Sequence, residues 1–131
     1  MNIGEVKVLI ADDSGVCRRL MKDSLEKLGF KKITMVAEGV SALDEILKQE
    51  FNLIISDWNM PKKSGIELLQ QVRVTHKIGK DKLPFFMLTT AGEKEKVLEA
   101  VKAGASDYIV KPFSIDTLSV KLRKHFPILN F

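Results

Sequence analysis

Short apolar runs and longer stretches of helical spacing alternate five times along this chain, and no other feature constrains its fold as strongly. Residues 6–11, 33–37, 53–56, 85–88 and 108–110 are the short runs, rich in β-branched and aromatic side chains. Between them, apolar residues recur at steps of three and four. Ser14 stands as an N-cap before Val16, Leu20, Met21, Leu25 and Leu28, and Gly29 closes that segment. A second helix is expected over 40–49, with Ala42, Leu43, Ile46 and Leu47 inward, and a third from about 64 through Ile66, Leu69 and Val72. Residues 75–83 form a polar, lysine-bearing connection. A fourth helix over 93–103 stops at Gly104, and a last one, capped by Ser114, carries Leu118, Leu122 and Phe126 before Pro127.

Strict strand–helix alternation predicts an α/β fold, a doubly wound five-stranded parallel sheet with five helices. Its crossovers are right-handed. The 131 residues make one domain's worth of chain, with 127–131 a short apolar tail, and no linker or internal repeat divides them. An open parallel sheet carries its functional site beyond the carboxyl ends of its strands.

Those ends are chemically distinctive. The first run stops at Asp12 and Asp13, the third at Asp57, the fourth at Thr89 and Thr90, and the fifth at Lys111; the second offers only Glu38. With strand two on the outside, in the order 2-1-3-4-5, the three aspartates converge on one crevice beside a hydroxyl and an ammonium. Clustered carboxylates repel, and a divalent cation relieves that repulsion. Mg²⁺ suits such a set, because it takes hard oxygen ligands and shares them with water and phosphate oxygens. Neither His76 nor His125 nor the single Cys17 falls at a strand end, which speaks against zinc and copper. A lysine and a hydroxyl opposite a metal supply what phosphoryl transfer demands. A carboxylate can itself be the nucleophile. Asp57 is the choice, standing alone at the end of a central strand, whereas the adjacent Asp12 and Asp13 are better placed to hold metal.

Together, Asp12-Asp13-Ser14, Asp57-Trp58-Asn59-Met60-Pro61 with Gly65, Thr89, Tyr108 and Lys111-Pro112-Phe113 resemble the receiver domain of two-component response regulators. The single-domain chemotaxis regulators of the CheY type are most similar, over residues 4–126. The resemblance implies a flavodoxin-like sheet in the order 2-1-3-4-5 and a stand-alone phosphorylation switch. Asp57 would accept a phosphoryl group from a histidine kinase. Asp13 would ligate Mg²⁺ directly and Asp12 through water, with Asp57 and the carbonyl of Asn59. Lys111 would pair with Asp57 and then with the phosphoryl oxygens, and the Lys111–Pro112 bond would be cis. Either Thr89 or Thr90 could be the switch hydroxyl; the family's spacing from Lys111 selects Thr89. Tyr108 would then fill the space Thr89 vacates. Thr90 and Ala91 depart from the usual pattern, which bears on dephosphorylation and on any phosphatase.

Other functions fit less well. An aspartate-nucleophile phosphatase of the haloacid dehalogenase type would need Asp-x-Asp after the first strand, where this chain has Asp12-Asp13-Ser14. A flavin carrier would place phosphate against those same acids. A degenerate, binding-only receiver is disfavoured because every core position is filled. The chain is thus read as a phosphoacceptor, not an enzyme, beyond its own phosphoryl transfer and autodephosphorylation. Its output is a protein contact, which the resemblance sets in chemotaxis and flagellar motor control, with a flagellar switch component as target; the alternative is a receiver of a non-chemotaxis phosphorelay. The net charge of +4 comes from scattered lysine and arginine pairs, a solvated surface rather than a nucleic-acid stripe. Without a secretory signal or membrane-spanning run, the expected location is cytoplasmic. Met21, Met35 and Met87 read as core filler, Trp58 as the rim of the site, Cys17 as a small helix residue, and His76 and His125 as solvent-exposed.

Overall fold

Successive side chains of a strand point to opposite faces, so each central strand here feeds two separate cores. Val8 and Ile10 enter one apolar cluster with Leu53, Ile55, Phe86, Leu88 and Ile109; Leu9 and Ala11 enter the other with Ile54, Phe85 and Met87. The computed structural model describes residues 1–90 and 93–129. Its elements follow in the order β1 (Lys7–Ala11), α1 (Gly15–Leu28), β2 (Lys32–Val36), α2 (Gly39–Lys48), β3 (Leu53–Asp57), α3 (Gly65–Gln70), β4 (Phe85–Thr90), α4 (Lys94–Lys102), β5 (Asp107–Lys111) and α5 (Ile115–His125). The strands pair in parallel in the order β2-β1-β3-β4-β5. Helices α1 and α5 cover one face through Met21, Leu25, Leu118 and Leu122. The other face is covered by α2, α3 and α4 through Ala42, Ile46, Leu68, Leu69 and Ala100.

Local chemistry sets the helix ends. The hydroxyls of Ser14, Ser64 and Ser114 accept from the N–H groups of Cys17, Glu67 and Thr117, and Gly29 closes α1 at a φ of 111°, open to glycine at no steric cost. Beyond α3 the chain winds into a π-helical turn, Gln71–Thr75, rather than continuing as regular helix. Arg73 on that turn donates to the Ile78 carbonyl at 3.0 Å and the Gly104 carbonyl at 2.9 Å, which anchors the polar connection beyond it. Among the described residues no helix is long and apolar enough to cross a membrane.

Several apolar residues point elsewhere than expected. Val16 is 72% exposed and Leu20 lies on the same outer stripe of α1, because Met21 and Leu25 set the inward face. Leu47 is exposed for the same reason, one step off the Ala42–Ile46 stripe of α2. Met35 is 40% exposed because β2 is an edge strand, so it does not fill the core as Met21 and Met87 do. In the tail, Leu129 packs into the cluster beneath α1 and α5 while Ile128 stays exposed. Ala91 and the last two tail residues, Asn130 and Phe131, lie outside the described residues.

Candidate functional site: an acidic crevice at the carboxyl edge of the sheet

Parallel pairing brings the strand ends to one edge. β1 and β3 are neighbours with Ala11 opposite Ser56, so Asp12, just past β1, and Asp57, the last residue of β3, lie side by side. β4 and β5 pair Thr90 with Lys111. Ligand oxygens of Asp12, Asp13 and Asp57 all lie within 4.8 Å of one another, although the residues are far apart in sequence. Glu38, by contrast, pairs with Lys62 at 3.4 Å and takes a hydrogen bond from Ser41, away from this group.

Backbone N–H groups hold two of the three acids, Asp12 and Asp57, whereas Asp13 is exposed. Asp12 is 1% exposed; its Oδ1 accepts the Ser14 N–H at 2.9 Å, and its carbonyl accepts from the Arg18 guanidinium at 2.6 Å. Asp57 accepts the Trp58 N–H at 2.9 Å. The loop that follows folds tightly back: Gly65 N–H donates to the Trp58 carbonyl at 2.8 Å, and a Cβ on Gly65 would lie 2.1 Å from the Asp57 carbonyl oxygen. Only glycine allows that approach.

Lys111 Nζ bridges the acids, 2.8 Å from Asp12 Oδ2 and 3.3 Å from Asp57 Oδ1. The expected pairing with Asp57 is present, yet the shorter contact goes to Asp12. Burial raises the Asp57 carboxyl above the ordinary range and the Asp12 charge adds to it, which the Lys111 contacts only partly oppose. Burial alone would lower Lys111, but the Asp12 hydrogen bond and the charges of Asp57 and Asp12 outweigh it, so its ammonium is held above its usual value. Three formal carboxylates facing one ammonium leave two negative charges unmatched, in a set made of hard oxygens. The residues therefore fit a divalent cation such as Mg²⁺.

Thr89 is 2% exposed, and its Oγ1 is buried without a hydrogen-bond partner among the described residues, a donor in want of an acceptor. Thr90 is exposed. The Lys111–Pro112 bond is cis. Asn59 lies on the exposed loop two residues after Asp57, and Tyr108 is half-buried on β5. Trp58 is 8% exposed with Lys96 Nζ 5.4 Å over its ring, which places it in the core below the site instead of on an open rim.

Residues 8–123 match the response regulator receiver domain family. The chain belongs to that family. Its receiver domain is 40% identical over 121 residues to the chemotaxis protein CheY-3 of Vibrio cholerae, covering 92% of each chain. It is 42% identical over 118 residues to the chemotaxis protein CheY homolog of Campylobacter jejuni, covering 89% of each. Among solved structures, the receiver domain of Francisella response regulator 1452 superposes with a TM-score of 0.83 at 32% identity, covering 95% of this chain and 98% of that one. The chemotaxis response regulator CheY4 of Vibrio cholerae gives 0.81 at 36%, covering 92% and 98%. The receiver is a phosphoryl-accepting signalling switch on the flavodoxin-like sheet that the family resemblance implied.

One buried polar group escaped the sequence reading. Asp107 opens β5, and its carboxylate meets Lys121 at 2.8 Å and His125 at 3.0 Å, so His125 is drawn in against Asp107 and Phe86 and is not solvent-exposed as expected; His76 is exposed. The available signal was the four-residue spacing of Lys121 and His125 on one face of α5.

Proposed function

We propose that Asp57 accepts a phosphoryl group from a histidine kinase in a Mg²⁺-dependent reaction, and that the observation carrying this reading is the meeting of Asp12, Asp13 and Asp57 against Lys111. A carboxylate oxygen of Asp57 forms the new O–P bond while the P–N bond to the donor imidazole breaks, and the imidazole leaves with that electron pair. Asp13, Asp12, Asp57 and the carbonyl of Asn59 would hold the metal. Bound there, Mg²⁺ supplies positive charge to the carboxylates and to the phosphoryl oxygens. Lys111, already 3.3 Å from Asp57, passes its ammonium to those oxygens. The unpartnered Thr89 hydroxyl donates to the phosphoryl group, and Tyr108 moves toward the space released.

The whole of 1–131 acts as one receiver with a short tail, and it signals by contact with a target protein, as its match to 92% of the length of CheY-3 supports. An output in chemotaxis is the reading that the names of these relatives support; the proposed target is a flagellar switch component, and a phosphatase is the means of reset. Autodephosphorylation by water is the slower route, with Thr90 at its approach. The setting is the cytoplasm, where such kinases release their phosphoryl groups.

Acetyl phosphate tests the chemistry without the kinase. With Mg²⁺, intact-mass measurement should show one phosphoryl adduct on the parent protein and none on Asp57→Asn or after chelation. An adduct persisting on Asp57→Asn would overturn the assignment.

A further inference from the structure

Tyr108 is the chain's single tyrosine. It lines a cavity of about 370 Å³ with Thr89, Thr90, Val97, Leu98 and Val110. That volume falls in the range that takes a small ligand, so a phenol ring fits it. Lys121, which is not among the residues lining that cavity, holds its Nζ 4.2 Å from the ring centroid. In this structure the ring is under the lysine.

Lys121 does not stand there freely. Its ammonium donates to Asp107 Oδ1 at 2.8 Å, and the same oxygen accepts the backbone N–H of Tyr108 at 2.9 Å. The other carboxylate oxygen is taken by His125 at 3.0 Å, with Lys124 at 4.0 Å. Asp107 thus fixes the Tyr108 backbone and the cation over its ring at once. A cation already positioned and mostly withdrawn from water gains more from a ring face than an exposed one, and less side-chain freedom remains to be lost.

We infer that Lys121, seated on Asp107, is a latch that holds Tyr108 out of the Thr89 cavity and so sets how much phosphoryl binding is needed to throw the switch. The inference rests on the reading of Tyr108 as the switch ring. Among the described residues Lys121 meets Asp107 and Tyr108 and none of the crevice acids, so it acts through the ring and is a positioning residue. The latched ring makes the activation-competent state a minor one, and apparent affinity for the activating group falls by that fraction. Releasing the latch therefore tightens activation, the reverse of what general damage to the fold does. It is also the reverse of what losing a positive charge does to anion binding.

The test uses the full chain with an isotope-labelled tyrosine ring, followed by NMR as beryllium fluoride, a phosphoryl mimic, is titrated in with Mg²⁺. Lys121→Met removes the cation and keeps the apolar stem; Lys121→Arg keeps a cation. The expected result is that the parent resonance moves on titration and Lys121→Met reaches the same end point at a midpoint lower by about fivefold, or about 1 kcal/mol at tenfold per 1.4 kcal/mol. Lys121→Arg should titrate with the parent. A Lys121→Met midpoint that is unchanged or higher overturns the latch while leaving the switch reading intact. So does an Arg variant that titrates with Met. A parent resonance that stays still while calorimetry records beryllium fluoride binding overturns the switch reading, and the latch with it.

Discussion

At the scale of single residues, Asp57 carries its charge at a cost to the fold. Burial first, and then the Asp12 charge, raise its carboxyl above the ordinary 3.8, so the folded chain binds that proton more tightly than the unfolded one. The associated stability is complete below about pH 3.8 and is lost as pH rises through the higher folded value. Without Mg²⁺ at neutral pH, Asp57→Asn should therefore melt a few degrees above the parent, and the gap should close on acidification below that range. Thermal denaturation across pH checks it, and a variant less stable at pH 7 would contradict the sign. The same residue shows what a sequence can reveal. Asp12, Asp57 and Lys111 each close an apolar run, so the sheet's edge was legible before its geometry. Asp107 was not, because its partners lie 14 and 18 residues away on a helix whose polar face looks like ordinary solvated surface. The preference of Lys111 for Asp12 was also hidden, since distances of half an ångström do not follow from spacing.

Among the elements, the turn from β3 into α3 decides where Asp57 points. Ser64 and Glu67 form a reciprocal cap at the start of α3, and Gly65 lies directly against the Asp57 carbonyl. A methyl group there meets backbone at 2.1 Å and Met87 Sδ at 3.0 Å, and the carbonyl cannot yield without moving the acid it belongs to. Gly65→Ala should lower stability by about 2 kcal/mol, in the range of overpacked cores, and slow labelling by acetyl phosphate. Urea denaturation and an intact-mass time course measure both, and a variant as stable and as quickly labelled as the parent would show that the contact is not tight. Capping serines and glycines gave away most helix ends, because their chemistry is local. Which side of a helix faces inward is decided by the neighbouring layer, and for that reason Val16, Leu20 and Leu47 looked like core and are not.

For the whole molecule, one sheet with a core on each face fixes five strand ends in a row and so sets charges side by side that would repel in solution. Strand alternation announced the parallel sheet, but strand order came from the family resemblance, since alternation alone leaves the order open. A cation that binds only the assembled crevice stabilises the fold by mass action. Adding millimolar-range Mg²⁺ should raise Tm at neutral pH and alter the emission of Trp58, whose N–H bonds Asp57. Both effects should vanish in acid, where protonated carboxylates release the metal. An unchanged melting curve and spectrum at neutral pH would remove the metal from the account.

Which atom carries the phosphoryl group can be read chemically, because borohydride reduces an aspartyl phosphate to homoserine and leaves a free carboxylate alone. After labelling with acetyl phosphate and Mg²⁺ and reduction, peptide sequencing should find homoserine at position 57 and aspartate at 12 and 13. Homoserine at either of those two positions, or phosphate on a side chain that borohydride does not reduce, would contradict the site described above.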